Sequence, residues 1–315
     1  MSIASIMSNV RRAAAVAVSA VALFGLAACG STGAGSASET SANGSSAQDG
    51  ATKPIEVVAS INQWGSVAKD LGGDLVNVTA IMTNTNVEAH DYEPTSQDVA
   101  KFGSAQVAVV NGADYDPWAS KAASSTKAAL VDAAESAGVK EGDNPHVWFS
   151  AKVRESAADA ITKAYIAAEP SQQAKFEELN KAWKERETQL EAKIKDTSAT
   201  LSGQSYAATE SVAWYLADDL GMKDATPSGY AQAAANESEP TPADLKQYAD
   251  VLAAGSVRLL VVNTQEANVT TDQLTAAAKS GNVPVVDLTE QMPSQYDDLL
   301  DWMDALVGQF ADALK

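Results

Sequence analysis

The sequence predicts an α/β protein with two lobes, each a parallel sheet flanked by helices, joined by one long rigid helix. From Pro54 onward, short apolar runs alternate with amphipathic segments, and this alternation occurs in two successive blocks. Strands that alternate with helices form parallel sheets covered by helices. Between the blocks, residues 171–201 contain no Gly or Pro and are dense in Glu, Lys, Gln and Ala, which indicates one continuous helix.

The first block, residues 54–170, is the predicted N-terminal lobe. A helix is expected from Ile61 to Leu71, because apolar residues recur there at helical spacing before Gly72 and Gly73 end the pattern. The predicted strands are 55–58, 75–82, 106–110 and 129–131.

The predicted linking helix, residues 171–201, carries an apolar stripe that includes Phe176, Trp183 and Leu190, with Glu187 among the charged residues of its wet side. A helix of about 30 residues is on the order of 45 Å long, so it is expected to span both lobes. The alternative is a charged helix on the surface of one lobe.

The second block, residues 202–315, is the predicted C-terminal lobe. Its predicted strands are 205–209, 257–262 and 283–288, and its predicted helices are 212–220, 242–253 and 271–280, with a further helix starting near Pro293.

The N-terminus has the features of an export signal. Arg11 and Arg12 precede an apolar run, 13–28, that is shorter than the roughly 20 residues of a membrane span. The ending before Cys29 resembles a bacterial lipobox, which predicts a signal peptide over 1–28, a lipid on Cys29 and an extracytoplasmic protein anchored to the cell membrane. An ordinary cleavage site with a chance cysteine is the alternative. Residues 29–53, rich in Ser, Gly, Ala and Thr, form the lipidated cysteine and a flexible linker.

Composition narrows the classes of function. The formal net charge is −19, which argues against a partner that is nucleic acid. The single cysteine excludes an internal disulfide and any four-thiolate metal site.

The two histidines, His90 and His146, each follow a predicted strand-to-loop exit, where open α/β sheets bind their ligands. A lone loop histidine is more often exposed or hydrogen-bonded than functional, so the two must be judged together.

The two histidine segments, 90–95 and 144–148, together with the run 111–118 and the lipobox at Cys29, resemble those of metal-binding lipoproteins of bacterial ABC importers, the cluster A-I solute-binding proteins for zinc and manganese. The resemblance implies two α/β lobes around one divalent cation, and a membrane permease with its ATPase as partner. We expect a monomer. Many relatives have Asp-Pro before the first histidine, whereas this chain has Glu88-Ala89.

Carried over by position, the resemblance implies the ligands His90, His146, Glu210 and Glu290. Asp287 is the rival for the fourth position, and either acid could instead cap the helix expected near Pro293. Glu210 in place of a third histidine favours Mn²⁺ over Zn²⁺ as the bound metal.

Two other functions remain open at this point. Two histidines and one carboxylate are also the ligands of metal-dependent enzymes, although the chain has no His-Glu-x-x-His helix, Gly-x-Ser-x-Gly elbow or phosphate loop. A surface adhesin is the other alternative. We expect a binding protein and not an enzyme.

Overall fold

A computed structural model of the chain describes residues 53–87 and 92–315. Outside these residues lie the predicted signal peptide, Cys29, most of the predicted linker and His90. The described N-terminal lobe contains β1 (Ile55–Ile61), α1 (Asn62–Gly72), β2 (Val76–Met82), α2 (Ser96–Phe102), β3 (Val107–Val110), α3 (Pro117–Ser124), β4 (Ala129–Asp132), α4 (Ala133–Ser136) and α5 (Ala151–Ala168).

The chain continues through a long helix into a second lobe. These elements are α6 (Gln173–Leu201), β5 (Ser205–Ala208), α7 (Trp214–Asp219), β6 (Lys223–Asp224), α8 (Ser228–Ala235), α9 (Pro242–Ala253), β7 (Leu259–Asn263), α10 (Val269–Ser280), β8 (Val285–Leu288) and α11 (Leu299–Ala313). Among the described residues, none of the helices has the length and apolar character needed to cross a bilayer.

Both sheets are four-stranded and parallel, in the orders β2-β1-β3-β4 and β6-β5-β7-β8. The central strands β3 and β7 are buried along their whole length, as expected for strands covered by helices on both faces. The predicted fold class is therefore confirmed. Strand β6 was not predicted, because its two residues, Lys223 and Asp224, are charged and exposed and give no apolar pattern.

The last helix begins later than the sequence indicates. Helix α11 starts at Leu299, and the carboxylate of Asp298 caps it by accepting hydrogen bonds from the backbone amides of Leu300 (2.8 Å) and Asp301 (3.2 Å). The predicted start near Pro293 is wrong. Neither Glu290 nor Asp287 caps this helix.

Helix α6 is 29 residues long, about 44 Å at 1.5 Å per residue, and it contacts α1 and α5 of the first lobe and α7 and α11 of the second. One cluster of buried hydrophobic residues includes residues of both sheets and of α6 and α11. The alternative of a helix on the surface of one lobe is therefore excluded.

A buried ion pair fastens α5 to α6. The Arg154 guanidinium lies 2.6 Å from Glu187 Oε1 through its Nη2 atom, its Nε donates to both carboxylate oxygens at 3.1 Å, and its Nη1 donates to the Trp148 carbonyl at 3.0 Å. Both side chains are fully buried. The prediction that Glu187 faces water was wrong, because helical spacing alone cannot reveal a partner on another helix.

A second group of charged residues links α6 to α1 of the first lobe and to the start of α11 in the second lobe. Arg186 of α6 lies 2.7 Å from Asp298 and 3.6 Å from Asp70 of α1. Burial, followed by the hydrogen bond and negative charge of Asp298, raises the pKa of Asp70 to about 7. Burial alone would raise the pKa of Asp298, but hydrogen bonds from Arg186 and Asp70 outweigh it and lower this pKa below its usual range. The two carboxyl groups thus share a proton near neutral pH.

We expect Arg154→Met to lower the free energy of unfolding by about 3–5 kcal/mol, because it leaves the Glu187 charge buried without its partner. The double variant Arg154→Met, Glu187→Leu should lose clearly less, since no buried charge remains. Urea unfolding of the wild type, the two single variants Arg154→Met and Glu187→Leu, and the double variant measures both effects. Equal losses in the single and double variants would contradict this account.

Asp70 predicts a specific dependence of stability on pH. Its pKa is higher in the folded protein than in the unfolded chain, so its contribution to stability is complete below about pH 4 and is lost as the pH rises through about 7. Asp70→Asn removes this contribution, so the stability of the wild type relative to the variant should fall as the pH rises from 5 to 8. Urea unfolding at each pH measures the difference. Asp74→Asn, which removes an exposed charge, is the control, and parallel profiles for wild type and Asp70→Asn would refute the shared proton.

Candidate metal centre

His146 lies in the loop that follows α4, directly before a single 3₁₀ turn, Val147–Phe149, and it is 2% exposed. Asn144 Oδ1 lies 2.9 Å from the His146 backbone nitrogen and 2.8 Å from its Nδ1. A backbone N–H can only donate, so the Asn144 atom that it contacts is the amide oxygen. This oxygen can only accept, so His146 Nδ1 must carry a proton and donate it to Asn144 Oδ1. The lone pair of Nε2 is therefore the one available to a cation.

Two aromatic rings fix the plane of this imidazole. Trp148 and Tyr115 stand edge-on to it, with ring centroids at 5.5 and 6.1 Å, and they contact each other at 5.2 Å. All three rings are buried. The imidazole is thus held in one orientation and shielded from water on that side.

Two glutamates of the second lobe face this histidine. Glu210 follows β5 and Glu290 follows β8, and the nearest oxygen of each lies 3.5 Å and 3.8 Å, respectively, from His146 Nε2. One ligand atom from each of the three residues lies within 4.8 Å of the others. Asp287, the rival to Glu290, is exposed on β8 and is not part of this group.

Two neutral donors hold these carboxylates. Asn263, the last residue of β7, donates from Nδ2 to Glu210 Oε2 (2.6 Å) and to Glu290 Oε1 (3.0 Å). The Tyr115 hydroxyl donates to Glu290 Oε2 at 2.7 Å. Burial and the negative charge of Glu290 hold the pKa of Tyr115 well above its usual value, so this hydroxyl remains a donor.

Tyr115 reaches the second lobe from an unusual turn after β3. Gly112, Ala113 and Asp114 all have positive φ, at 78°, 51° and 63°. A Cβ on Gly112 would lie 2.0 Å from Asp132 Oδ1, so only glycine fits there. The two non-glycine residues adopt a costly backbone conformation that delivers the tyrosine hydroxyl to Glu290.

The site lies where the two lobes meet, and direct hydrogen bonds cross between them around it. They join Tyr115 to Glu290, Gln63 Nε2 to the Glu290 carbonyl (2.6 Å), Asn62 Nδ2 to the Met292 carbonyl (2.7 Å), Asn144 Nδ2 to the Ser211 carbonyl (2.8 Å) and the Tyr215 hydroxyl to the Asn144 carbonyl (2.9 Å). The described cleft is therefore closed over the site.

The structure brings together three of the four ligands expected from the sequence: His146, Glu210 and Glu290. The fourth, His90, lies in residues 88–91, outside the described part of the chain, as Cys29 does at the N-terminus. One imidazole and two carboxylates directed at one point form a donor set typical of sites for divalent transition metals.

The positions of Asn263 and Tyr115 at the site were not predicted from the sequence. Asn263 directly follows an apolar strand pattern, which places it at the same sheet edge as the predicted ligands, but only the strand order shows that it lies between them. Tyr115 belongs to the run 111–118 that contributed to the family resemblance, yet its contact with Glu290 depends on the turn before it.

Curated proteins with similar sequences are named as metal-binding proteins or as substrate-binding lipoproteins of metal ABC transporters. The chain is 27% identical over 184 residues to the iron-binding protein YfeA of Yersinia pestis, covering 55% of this chain and 58% of YfeA, less than two thirds of that protein. It is 24% identical over 255 residues to the manganese ABC transporter substrate-binding lipoprotein ScaA of Streptococcus gordonii, covering 75% of this chain and 80% of ScaA.

Solved structures show the same fold. The periplasmic zinc-binding protein TroA from Treponema pallidum superposes with a TM-score of 0.70 at 18% sequence identity, covering 83% of this chain and 99% of TroA. A family model described as zinc-uptake complex component A, periplasmic, matches residues 57–313. Because this match covers well over half of the chain, the chain belongs to that family, the ZnuA family.

Proposed function

We propose that this protein captures a divalent transition metal, Mn²⁺ or Zn²⁺, outside the cytoplasm and delivers it to an ABC permease for import. The observation that carries the proposal is the convergence of His146 from one lobe with Glu210 and Glu290 from the other. Membership of the ZnuA family and the metal-binding transport proteins among its relatives support it.

The donor set suits capture of a cation. His146 offers Nε2, the two glutamates offer one oxygen each, and we propose His90 as the fourth ligand. Two carboxylates cancel the charge of a dication, and neutral imidazoles add no charge of their own. Four protein ligands leave no open position for a reactive water, whereas catalytic zinc sites keep one. We therefore propose a binding protein and not an enzyme.

The position of the site between the two lobes explains how the metal could be bound and released. Ligands from both lobes mean that the metal holds the lobes together when it is bound. Hydrogen bonds that cross between the lobes around the site, such as those from Tyr115 to Glu290 and from Tyr215 to the Asn144 carbonyl, would break when the cleft opens. A permease that binds the opened form would receive the cation.

The place of action follows from the N-terminal sequence. We propose that cleavage after residue 28 leaves a lipid-bearing Cys29, that residues 30–53 act as a tether, and that the protein works as a monomer beside a permease and its ATPase. Relatives named as substrate-binding lipoproteins of ABC transporters support this arrangement.

Removing a ligand should abolish tight binding. For His146→Ala and for Glu290→Gln we expect the affinity for Zn²⁺ and Mn²⁺ to fall by more than the 10- to 100-fold that loss of an outer-shell partner costs. Competition against a chelating dye measures both affinities. The matched control is Asp287→Asn, which changes an exposed carboxylate three residues away and should bind like the wild type. Loss of binding in the control, or its retention in both site variants, would refute the assignment.

Cys29→Ala should release the protein from the membrane, because the lipid chains attach to that thiol. We expect the wild type in the membrane fraction and the variant in the soluble extracytoplasmic fraction, with incorporation of a labelled fatty acid only in the wild type. Metal binding should be the same in both. A variant that stays with the membrane would contradict the proposed anchor.

A further inference from the structure

Asn263 lies between the two carboxylates of the site, and its side-chain amide donates a hydrogen bond to each of them. It is 2% exposed, and its Oδ1 accepts a hydrogen bond from the Gln265 backbone amide at 3.0 Å. That contact identifies Oδ1 as the oxygen, so the nitrogen is the atom that faces Glu210 and Glu290. The two hydrogens of Nδ2 are thus divided between the two acids.

This division determines which oxygens face the imidazole. Glu210 gives Oε2 to the amide and directs Oε1 to His146 Nε2, at 3.5 Å. Glu290 gives Oε1 to the amide and directs Oε2 to the same nitrogen, at 3.8 Å. Each carboxylate therefore presents one oxygen to the point where the ligands converge.

The Tyr115 hydroxyl reinforces this arrangement from the opposite lobe. It donates to Glu290 Oε2, so both oxygens of Glu290 accept a hydrogen bond from a buried protein donor. Rotating Glu290 to present both oxygens would break one of these bonds and leave a buried donor unsatisfied, which is unfavourable. The restraint on Glu290 is therefore energetic as well as geometric.

The number of oxygens offered bears on the choice of metal. With the proposed ligand His90, the site would offer two imidazoles and two one-oxygen carboxylates, which are four donors, the number that Zn²⁺ takes in tetrahedral protein sites. Mn²⁺ suits octahedral, oxygen-rich surroundings, which this site would approach if a carboxylate gave both oxygens.

We infer that Asn263 is a positioning residue that selects Zn²⁺ over Mn²⁺ by confining Glu210 and Glu290 to ligation through one oxygen each. The inference rests on the proposed function, since it assumes that these acids bind a metal. It runs against the preference for Mn²⁺ that ligand type alone suggests. The preference for Mn²⁺ was inferred from the kinds of residue in the site. The preference for Zn²⁺ follows from the number of carboxylate oxygens that can reach the ion, which the Asn263 amide limits.

The variants must separate this role from support of the local fold. Asn263→Asp retains an oxygen to accept from Gln265 but removes both donors to the glutamates. Because it also adds a negative charge that attracts any cation, the ratio of the Zn²⁺ and Mn²⁺ affinities is the informative quantity. Asn263→Ala removes the donors without adding charge. The control is Asn180→Asp, which alters an amide that donates to a carboxylate, Asp159, on the protein surface.

Chelator competition with Zn²⁺ and with Mn²⁺ gives the affinity ratio, and X-ray absorption of the Zn²⁺ form gives the coordination number. We expect four nitrogen or oxygen neighbours around Zn²⁺ in the wild type. In both Asn263 variants the affinity for Zn²⁺ should fall about 10- to 100-fold, the affinity for Mn²⁺ should fall less, and the Zn²⁺ to Mn²⁺ ratio should drop at least about tenfold. Asn180→Asp should keep the wild-type ratio.

The outcomes distinguish this inference from the proposed function. A wild type that binds neither ion refutes both. A wild type that binds metal, with the same affinity ratio in both Asn263 variants, refutes the role of Asn263 alone. If neither variant folds, the wild type still decides, because five or six neighbours around its bound Zn²⁺ would overturn confinement to one oxygen per glutamate.

Discussion

Parallel strands end at the same edge of their sheet, and the order of the C-terminal sheet decides which polar residues meet there. Strand β7 lies between β5 and β8, so the residue that ends β7 stands between the residues that follow its neighbours. This is why the amide of Asn263 lies between Glu210 and Glu290. The Glu290 carboxylate is fully buried and that of Glu210 is 11% exposed, so without a donor between them their negative charges would repel each other across a medium that screens charge poorly. The same arrangement that brings the acids close therefore supplies the donor that makes their closeness tolerable.

The histidine of the other lobe is tied to the frame of the molecule by a short series of contacts. His146 lies two residues before Trp148, whose carbonyl accepts from Arg154, and Arg154 pairs with Glu187 on the long helix. That helix also packs against α11 of the second lobe. The long helix thus contacts the elements that support the proposed ligands in both lobes.

Much of this architecture could be predicted from local patterns. Short apolar runs located nearly all the strands, period-3.6 apolar spacing located the long helix, and the family resemblance, carried over by position, indicated His146, Glu210 and Glu290. What could not be predicted depends on which elements are neighbours in space. The burial of Glu187 requires Arg154 on a different helix, and the position of Asn263 requires the strand order. The cap of α11 was missed because Asp298 follows a run without helical periodicity.

The left-handed turn over Gly112, Ala113 and Asp114 restricts how the sequence can drift during evolution. Aspartate tolerates such a backbone and alanine does so at some cost, but a valine or isoleucine at either non-glycine position would be strongly disfavoured. A substitution of that kind would act at a distance, by withdrawing a hydroxyl from an acid in the other half of the molecule. Homologues that have lost the tyrosine should therefore be free to relax this turn, and the two changes should be inherited together.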